Sequence, residues 1–444
     1  MKQSIKCLVA AFVAMLMSVA AFAQVTTSAL GGRVVDANGE PVVGVAVIAT
    51  HTPSGTVYGV TTNEAGRYTI NGMRSGGPYS VEFTCLGYQT VTYTDLTLQL
   101  AETSSLNATL NEDSEMLSEA MVIGAAASKF SAEKTGAATN ISSAQITSLP
   151  TVNRSITDVT RLSPYGGNGM SFAGSDGRTA NFTVDGANFN NNFGLSENLP
   201  GGGNPISIDA IEELQVVISP YDVRQTNFIG GGVNAITKSG TNTFKGTAYV
   251  YHRNENMRGN QVAGTEISGA RDRDRNTTYG FTLGGPIIKN KLFFFVNAEY
   301  SQTPSVAVRW RASENGVGNA DKYLSYTTVA DMERVKKHVM DKYGYDTGSY
   351  TDFPADQNNL KLLARLDWNI NDNHRLALRY NYTNNTGWNA PNSSSMDGGT
   401  RSAYGRTSLY SMAFANAMYS MNNLVHTVSR DLNSRLGDNL SNQF

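Results

Sequence analysis

The stretch Leu360-Lys361-Leu362-Leu363-Ala364-Arg365-Leu366-Asp367-Trp368-Asn369-Ile370, the triplet Asn371-Asp372-Asn373 and the stretch His374-Arg375-Leu376-Ala377-Leu378-Arg379-Tyr380-Asn381-Tyr382 decide the fold. Leu360, Leu362, Ala364, Leu366, Trp368 and Ile370 alternate with Lys361, Leu363, Arg365, Asp367 and Asn369. Beyond the Asn-rich turn, Leu376, Leu378, Tyr380 and Tyr382 alternate with Arg375, Ala377, Arg379 and Asn381. A period of two places one set on an apolar face of a β-strand and the other on a polar face. Residues 279–284 and 294–301 repeat the pattern. Runs of about ten residues have the length of a tilted strand that crosses a bilayer.

A soluble sheet with one wet face alternates in the same way. The connections separate the two cases. Short turns are expected at 288–291, 371–373 and 420–423, and long polar connections at 253–276, 302–359 and 384–407. Strict alternation of short and long connections is the pattern of an outer-membrane barrel, with short periplasmic turns and long outer loops. Tyr300, Trp368, Tyr380 and Tyr382 are candidate girdle aromatics at the strand ends. Charged residues of the polar face, such as Arg365, Asp367 and Arg379, are expected to face either a polar filling or a solvated lumen.

Composition agrees with a mainly β chain. Of 444 residues, 43 are Gly and only 16% are charged, below the usual ~25%. The formal charge of −2 argues against a basic nucleic-acid-binding surface. Lys2 and Lys6 precede an apolar run that ends in Ala21-Phe22-Ala23, so residues 1–23 read as a signal peptide with cleavage between Ala23 and Gln24. Its removal leaves 33 basic against 37 acidic residues, and Cys85 as a lone cysteine. Beyond that peptide no apolar run of ~18 residues follows, so membrane insertion would have to use strands.

Residues 24–111 read as a small β-sandwich. Short β-rich runs at 32–36, 44–49, 58–61, 66–70, 79–85 and 88–93 are separated by turn signals, among them Asn38-Gly39 and Gly76-Gly77-Pro78. Residues 112–128 form a linker. In it Glu119, Ala120, Met121, Val122, Ile123 and Gly124 make a short β-prone peptide between acidic and small-residue flanks, suited to strand addition on a partner's sheet edge or to an ordinary linker strand. Residues 129–240 read as mixed α/β. A short helix is expected over 155–162, a strand over 181–185 turning at Asp185-Gly186, helical composition over 207–213 and a buried strand over 214–218. Gly201-Gly202-Gly203 and Gly230-Gly231-Gly232 mark tight turns or close backbone approach, and neither has the Lys-Ser/Thr of a phosphate-binding loop.

Several stretches carry a resemblance. The pattern G-x-V-x-D-x-x-G-x-P-x-x-G from Gly32, with T-x-x-x-G-x-Y at Thr62 to Tyr68, resembles the carboxypeptidase regulatory-like domain, a transthyretin-like sandwich. The segment from Glu119 to Gly124 looks like a TonB box. Leu149-Pro150 to Arg154, Asp158 to Pro164, Asn181 to Gly186, Asn204 to Ile218 and Thr237-Lys238-Ser239-Gly240 resemble parts of a plug domain. The run Gly284-Gly285-Pro286-Ile287-Ile288-Lys289-Asn290-Lys291-Leu292-Phe293-Phe294-Phe295 is similar to the Oar-like barrel. The whole chain therefore resembles a TonB-dependent outer-membrane receptor of the Oar-like group. That implies a signal peptide, a periplasmic sandwich, a TonB-box linker, a plug over 129–240, and from 241 to 444 the first seven or so strands of a transmembrane β-barrel.

The resemblance implies a transporter that binds TonB through residues 116–124, sits in outer-membrane lipid and takes up a small polar substrate, a peptide or saccharide, held near 188–193 and the outer loops. The family's barrel has 22 strands, on the order of 450 residues. Residues 241–444 number 204, so the chain reads as an incomplete, N-terminal fragment. An alternative is a secreted β-domain protein of surface adhesion or structure. An enzyme is not expected: His51, His252, His338, His374 and His426 form no H-E-x-x-H or related metal motif, so no catalytic residue, metal site or cofactor is assigned.

Overall fold

The computed structural model describes residues 25–112, 121–124, 137–151, 154–190, 199, 204–220, 225–257, 259–266, 275–304, 308–354, 356–389, 407–436 and 440–443. The cleavage site Ala23–Gln24, Glu119, Ala120 and the glycines 201–203 lie outside these residues.

The N-terminal unit is built from β1 (Ser28–Asp36), β2 (Ala46–His51), β3 (Thr56–Thr61), β4 (Arg67–Met73), β5 (Gly76–Thr84), β6 (Val91–Leu98), β7 (Thr103–Ser105) and β8 (Ala108–Leu110). One sheet runs β4-β1-β7, with β8 also on β1, and the other runs β3-β2-β5-β6. Alternate residues point inward along each strand: Tyr79, Val81 and Phe83 of β5 are fully buried, against Leu30, Val34 and Val47. Gly76-Gly77-Pro78, expected as a turn, belongs to β5, where Gly76 pairs with Leu98. The strand β9 (Met121–Gly124) then joins this sheet beyond β6.

The second unit is a five-stranded sheet of β10 (Ala137–Ser142), β11 (Asn181–Val184), β12 (Ala187–Asn188), β13 (Ile211–Ser219) and β14 (Gly232–Thr237), in the order β10-β13-β14-β11-β12. The expected helix near 155–162 spans Ile156–Thr160. Ser155 caps it, and Asp158 at N3 closes a capping box. The expected helix over 207–213 is not formed: Ile208–Ala210 is a single 3-10 turn and the strand starts at Ile211. Burial explains this. Ile211, Glu213, Leu214, Gln215 and Val216 are all buried, and a central strand buries both of its faces. Gly231 fits only without a side chain, because a Cβ there would lie 2.6 Å from the Phe172 ring.

The third unit is one antiparallel sheet. Its strands are β15 (Lys245–Arg253), β18 (Asn276–Ile288), β19 (Leu292–Gln302), β22 (Asn358–Asn369), β23 (His374–Asn389), β24 (Tyr419–Arg435) and β25 (Ser441–Gln443), in that order. Small ladders decorate the long connections: β16 (Gln261–Val262) with β17 (Thr265–Glu266), and β20 (Arg311–Ser313) with β21 (Leu324–Thr328). A helix, Val329–Tyr343, follows β21 and ends on Gly344 in the left-handed conformation.

The alternation read from the sequence is the alternation of burial. Lys361, Leu363, Arg365 and Asp367 are buried, whereas Leu362, Leu366 and Trp368 are exposed on the outer face. Tyr279, Phe281, Leu283 and Tyr300 are exposed on that same outer face. An apolar outside and a charged, buried inside is the pattern of a membrane wall rather than of a soluble sheet. One expected turn is corrected. Residues 420–423 lie inside β24, where Asn422 and Asn423 pair with Thr386 and Asn385. The ladder there extends the hairpin with polar side chains, which composition alone made look like a turn. The chain instead turns after Arg435, so short and long connections still alternate. The residues after 424 continue β24 and then form β25. Among the described residues β15 and β25 are the two edges of this sheet, so the wall is open.

Candidate functional site

The inner face of the wall holds the second unit. Phe295 and Leu363 of the wall join the core of the inner sheet, packed with Phe182, Ile211 and Val216. The inner unit, here called the plug, packs on the wall's inner face through this shared core, and two polar ties fix it.

The first tie centres on the β11–β12 hairpin. Asp185 (φ 50) and Gly186 (φ 80) are its two loop residues, both left-handed as a type I′ turn demands. Asp185 is 1% exposed. It accepts from Thr237 N–H at 3.0 Å and from the Thr237 hydroxyl at 2.7 Å. Arg379 Nε lies 3.4 Å and Arg365 Nη1 3.9 Å from its Oδ1. Arg365 also donates to the Thr237 carbonyl at 2.5 Å and forks onto Asp367 at 2.8 and 2.9 Å. Arg379 reaches Asp431 at 2.5 Å. Two wall arginines thus meet carboxylates on both plug and wall. A buried charge is tolerated only when paired and hydrogen-bonded in this way.

The second tie lies farther along the strands. Glu299 accepts from Lys361 at 2.7 Å, from the Tyr249 hydroxyl at 2.7 Å and from the plug's Ser207 hydroxyl at 2.8 Å. Thr383 donates to the Pro205 carbonyl at 2.6 Å. Arg154 pairs with Asp209 and stacks 4.2 Å over the Tyr251 ring.

The N-terminal sandwich docks beneath. Arg74 donates to Ser239 at 3.0 Å and lies 3.7 Å from Asp367. Glu213 of β13 accepts the Leu100 N–H at 3.0 and 3.1 Å and the Ser75 hydroxyl. Burial pushes the Glu213 carboxyl up to about 7, against the lowering effect of those donors. His51, buried against Tyr79 and near Arg74, is held down to about 3 by burial first and by that guanidinium second. Its Nδ1 is 2.7 Å from the Ser54 hydroxyl.

The residues singled out in the sequence are placed as follows. Asp185 and Gly186 sit at the plug–wall contact. Arg365 and Arg379 pair with Asp185, and Asp367 pairs with Arg365, so these charges face the plug rather than an open lumen. Met121, Val122 and Ile123 form β9, parallel to Val91, Thr92 and Tyr93. Phe189, within the stretch expected near a ligand, is buried in the plug core, and residues 191–193 lie outside the described residues. Glu299, Lys361, Glu213, Arg74 and Thr237 were not among the candidate site residues. Glu299 and Lys361 occupy the same inward register as Asn297 and Arg365, so the strand period contained that signal. Glu213 is a carboxylate in an apolar run, which is a weaker one. Among the described residues no group of three His, Cys, Asp or Glu side chains could hold a metal ion.

An inner domain held against an outward-apolar antiparallel wall resembles the arrangement of outer-membrane β-barrel proteins. Residues 29–111 match the carboxypeptidase regulatory-like domain, and residues 236–310 match an outer membrane beta barrel domain. The chain is a homologue of the TonB-dependent transporter Oar of Myxococcus xanthus, to which it is 27% identical over 388 residues. That match covers 82% of this chain and 34% of the relative, so the chain spans about a third of the relative's length. Solved structures with a similar arrangement include the siderophore receptor PirA from Acinetobacter baumannii, with 16% identity and a TM-score of 0.42 over 68% of this chain and 38% of that one. The outer membrane transporter YddB from Escherichia coli has 13% identity and a TM-score of 0.43, over 68% and 37% of the two chains.

Proposed function

We propose that this chain is part of an energised outer-membrane transporter. Residues 116–124 engage TonB in the periplasm, the plug closes the lumen, and the wall stands in outer-membrane lipid. The N-terminal sandwich is periplasmic, after export by a Sec-type signal cleaved between Ala23 and Gln24. The cargo is a small polar solute, a peptide or saccharide, admitted on the side of the long Asn-rich connections. The protein moves this solute and performs no chemistry on it.

The observation that carries the reading is the fixing of a plug to a wall through buried polar ties, Asp185 to Arg365 and Arg379 above all. A permanently closed domain would be secured more simply by apolar packing, because buried ion pairs add little net stability over it. Ties of charged groups hydrate readily once separated, which suits a plug that must move and return.

The test is cross-linking of the protein to TonB in cells. Val122→Pro removes a backbone donor from the strand-forming segment and is expected to abolish the cross-link. Undiminished cross-linking of Val122→Pro overturns the reading of this segment.

A further inference from the structure

The segment Met121–Gly124 does not hang free. It pairs in parallel with Val91–Thr94, in register Val91 to Met121 through Thr94 to Gly124, and becomes the outer strand of the sandwich sheet β3-β2-β5-β6-β9. Strand β6 then runs on to Leu98, and two residues later Leu100 meets the plug. The Leu100 N–H donates to Glu213, and its carbonyl accepts from Gln215 Nε2 at 2.9 Å and from Asn140 Nδ2 at 3.1 Å. Leu100 is 0% exposed. Glu213 and Gln215 belong to β13, whose partner β14 carries Ala235 and, next to Ile236, the Asp185 ligand Thr237.

We propose that the sandwich is a force-transmitting coupler: load applied to β9 enters the plug through the β9–β6 ladder and the Leu100 contacts with β13. This rests on the TonB reading above. Two physical points favour it. Because β9 and β6 are parallel and β6 leads to the plug, a pull on β9 away from the plug loads the ladder in shear, where its bonds share the load. Among the described residues β9 pairs only with β6, through one edge, so its other edge can take a partner strand.

The test uses Ala235→Cys, a fully buried plug position, as a reporter in a Cys85→Ser background. Maleimide labelling is compared in cells with an intact and a collapsed proton gradient. The gradient is expected to raise labelling several-fold. A disulfide between Thr92→Cys and Val122→Cys, in-register neighbours, locks β9 to β6. The locked protein is expected to keep the gradient-dependent labelling, and to lose it if β9 must leave the sheet to act, which would overturn the proposal. Glu213→Ala with Gln215→Ala should reduce labelling to the collapsed-gradient level while the TonB cross-link persists. Unchanged labelling in that variant would also overturn it. Absence of both the cross-link and the gradient effect in the unlocked reporter would instead overturn the TonB reading, and the coupler with it.

Discussion

Arg379 Nε stands 3.4 Å from the Asp185 carboxylate, joining a wall strand to the tip of the plug's β11–β12 hairpin. The pair is enclosed, with Asp185 also held by both donors of Thr237. Asp185→Ala removes one charge and leaves Arg379 to Asp431 and Arg365 to Asp367. Breaking a buried pair costs about 3–5 kcal/mol. The remaining partners should bring the loss to the lower end of that range. Hydrogen exchange of the Asn181–Val184 and Gly232–Thr237 amides is expected to quicken selectively, with the sandwich strands unaffected.

Gly231 carries a steric constraint rather than a charge. A Cβ at this position would enter the Phe172 ring. Gly231→Ala is expected to destabilise the plug by about 1–3 kcal/mol, the range for overpacking. Phe172→Leu should recover part of that loss in a double-mutant cycle, monitored by thermal denaturation. Additive effects would show that the two positions are independent.

Glu213 makes docking of the sandwich on the plug depend on pH. Its carboxyl is raised to about 7 from the ordinary 4.5. Between these values the docked state binds more protons than the undocked one. Docking is therefore strongest below about pH 4.5, weakens as pH rises, and levels off above 7. The full change is on the order of 3 kcal/mol. Proteolysis of the sandwich–plug connection should be slower at pH 5 than at pH 8, and Glu213→Gln should abolish the difference.

His51 gives the sandwich the opposite dependence. Held down to about 3, it stays neutral when folded but takes a proton in the unfolded chain below its ordinary 6.5. Stability from this group is complete above pH 6.5 and falls as pH drops towards 3, by about 2 kcal/mol at pH 5. Exchange of the β2 and β5 amides should reveal the loss, and His51→Gln should flatten it.

Much of this was legible in the sequence because it depends on local periodicity. The alternation from Leu360 to Tyr382 fixed which side chains face outward and which face inward, since a strand's side chains change face at every residue. Asp185-Gly186 was readable as a turn because few other pairs accept two left-handed residues. Residues 207–213 misled, because the helical composition of Ile208-Asp209-Ala210-Ile211-Glu212-Glu213 gave way to burial in the middle of a sheet. Asn422 and Asn423 misled likewise, since polar residues at a hairpin's wet end look like a turn.

By itself, then, the sequence determined the order of the units, the two faces of each wall strand and the identity of the turn at Asp185. Only the tertiary structure decided what those faces meet. It brings Asp185 to Arg365 and Arg379, Ser207 to Glu299, Leu100 to Glu213, and Met121–Gly124 to Val91–Thr94. The first three partnerships join residues more than ninety positions apart. No local period encodes them, because they arise from the packing of one sheet inside another and of a third beneath both.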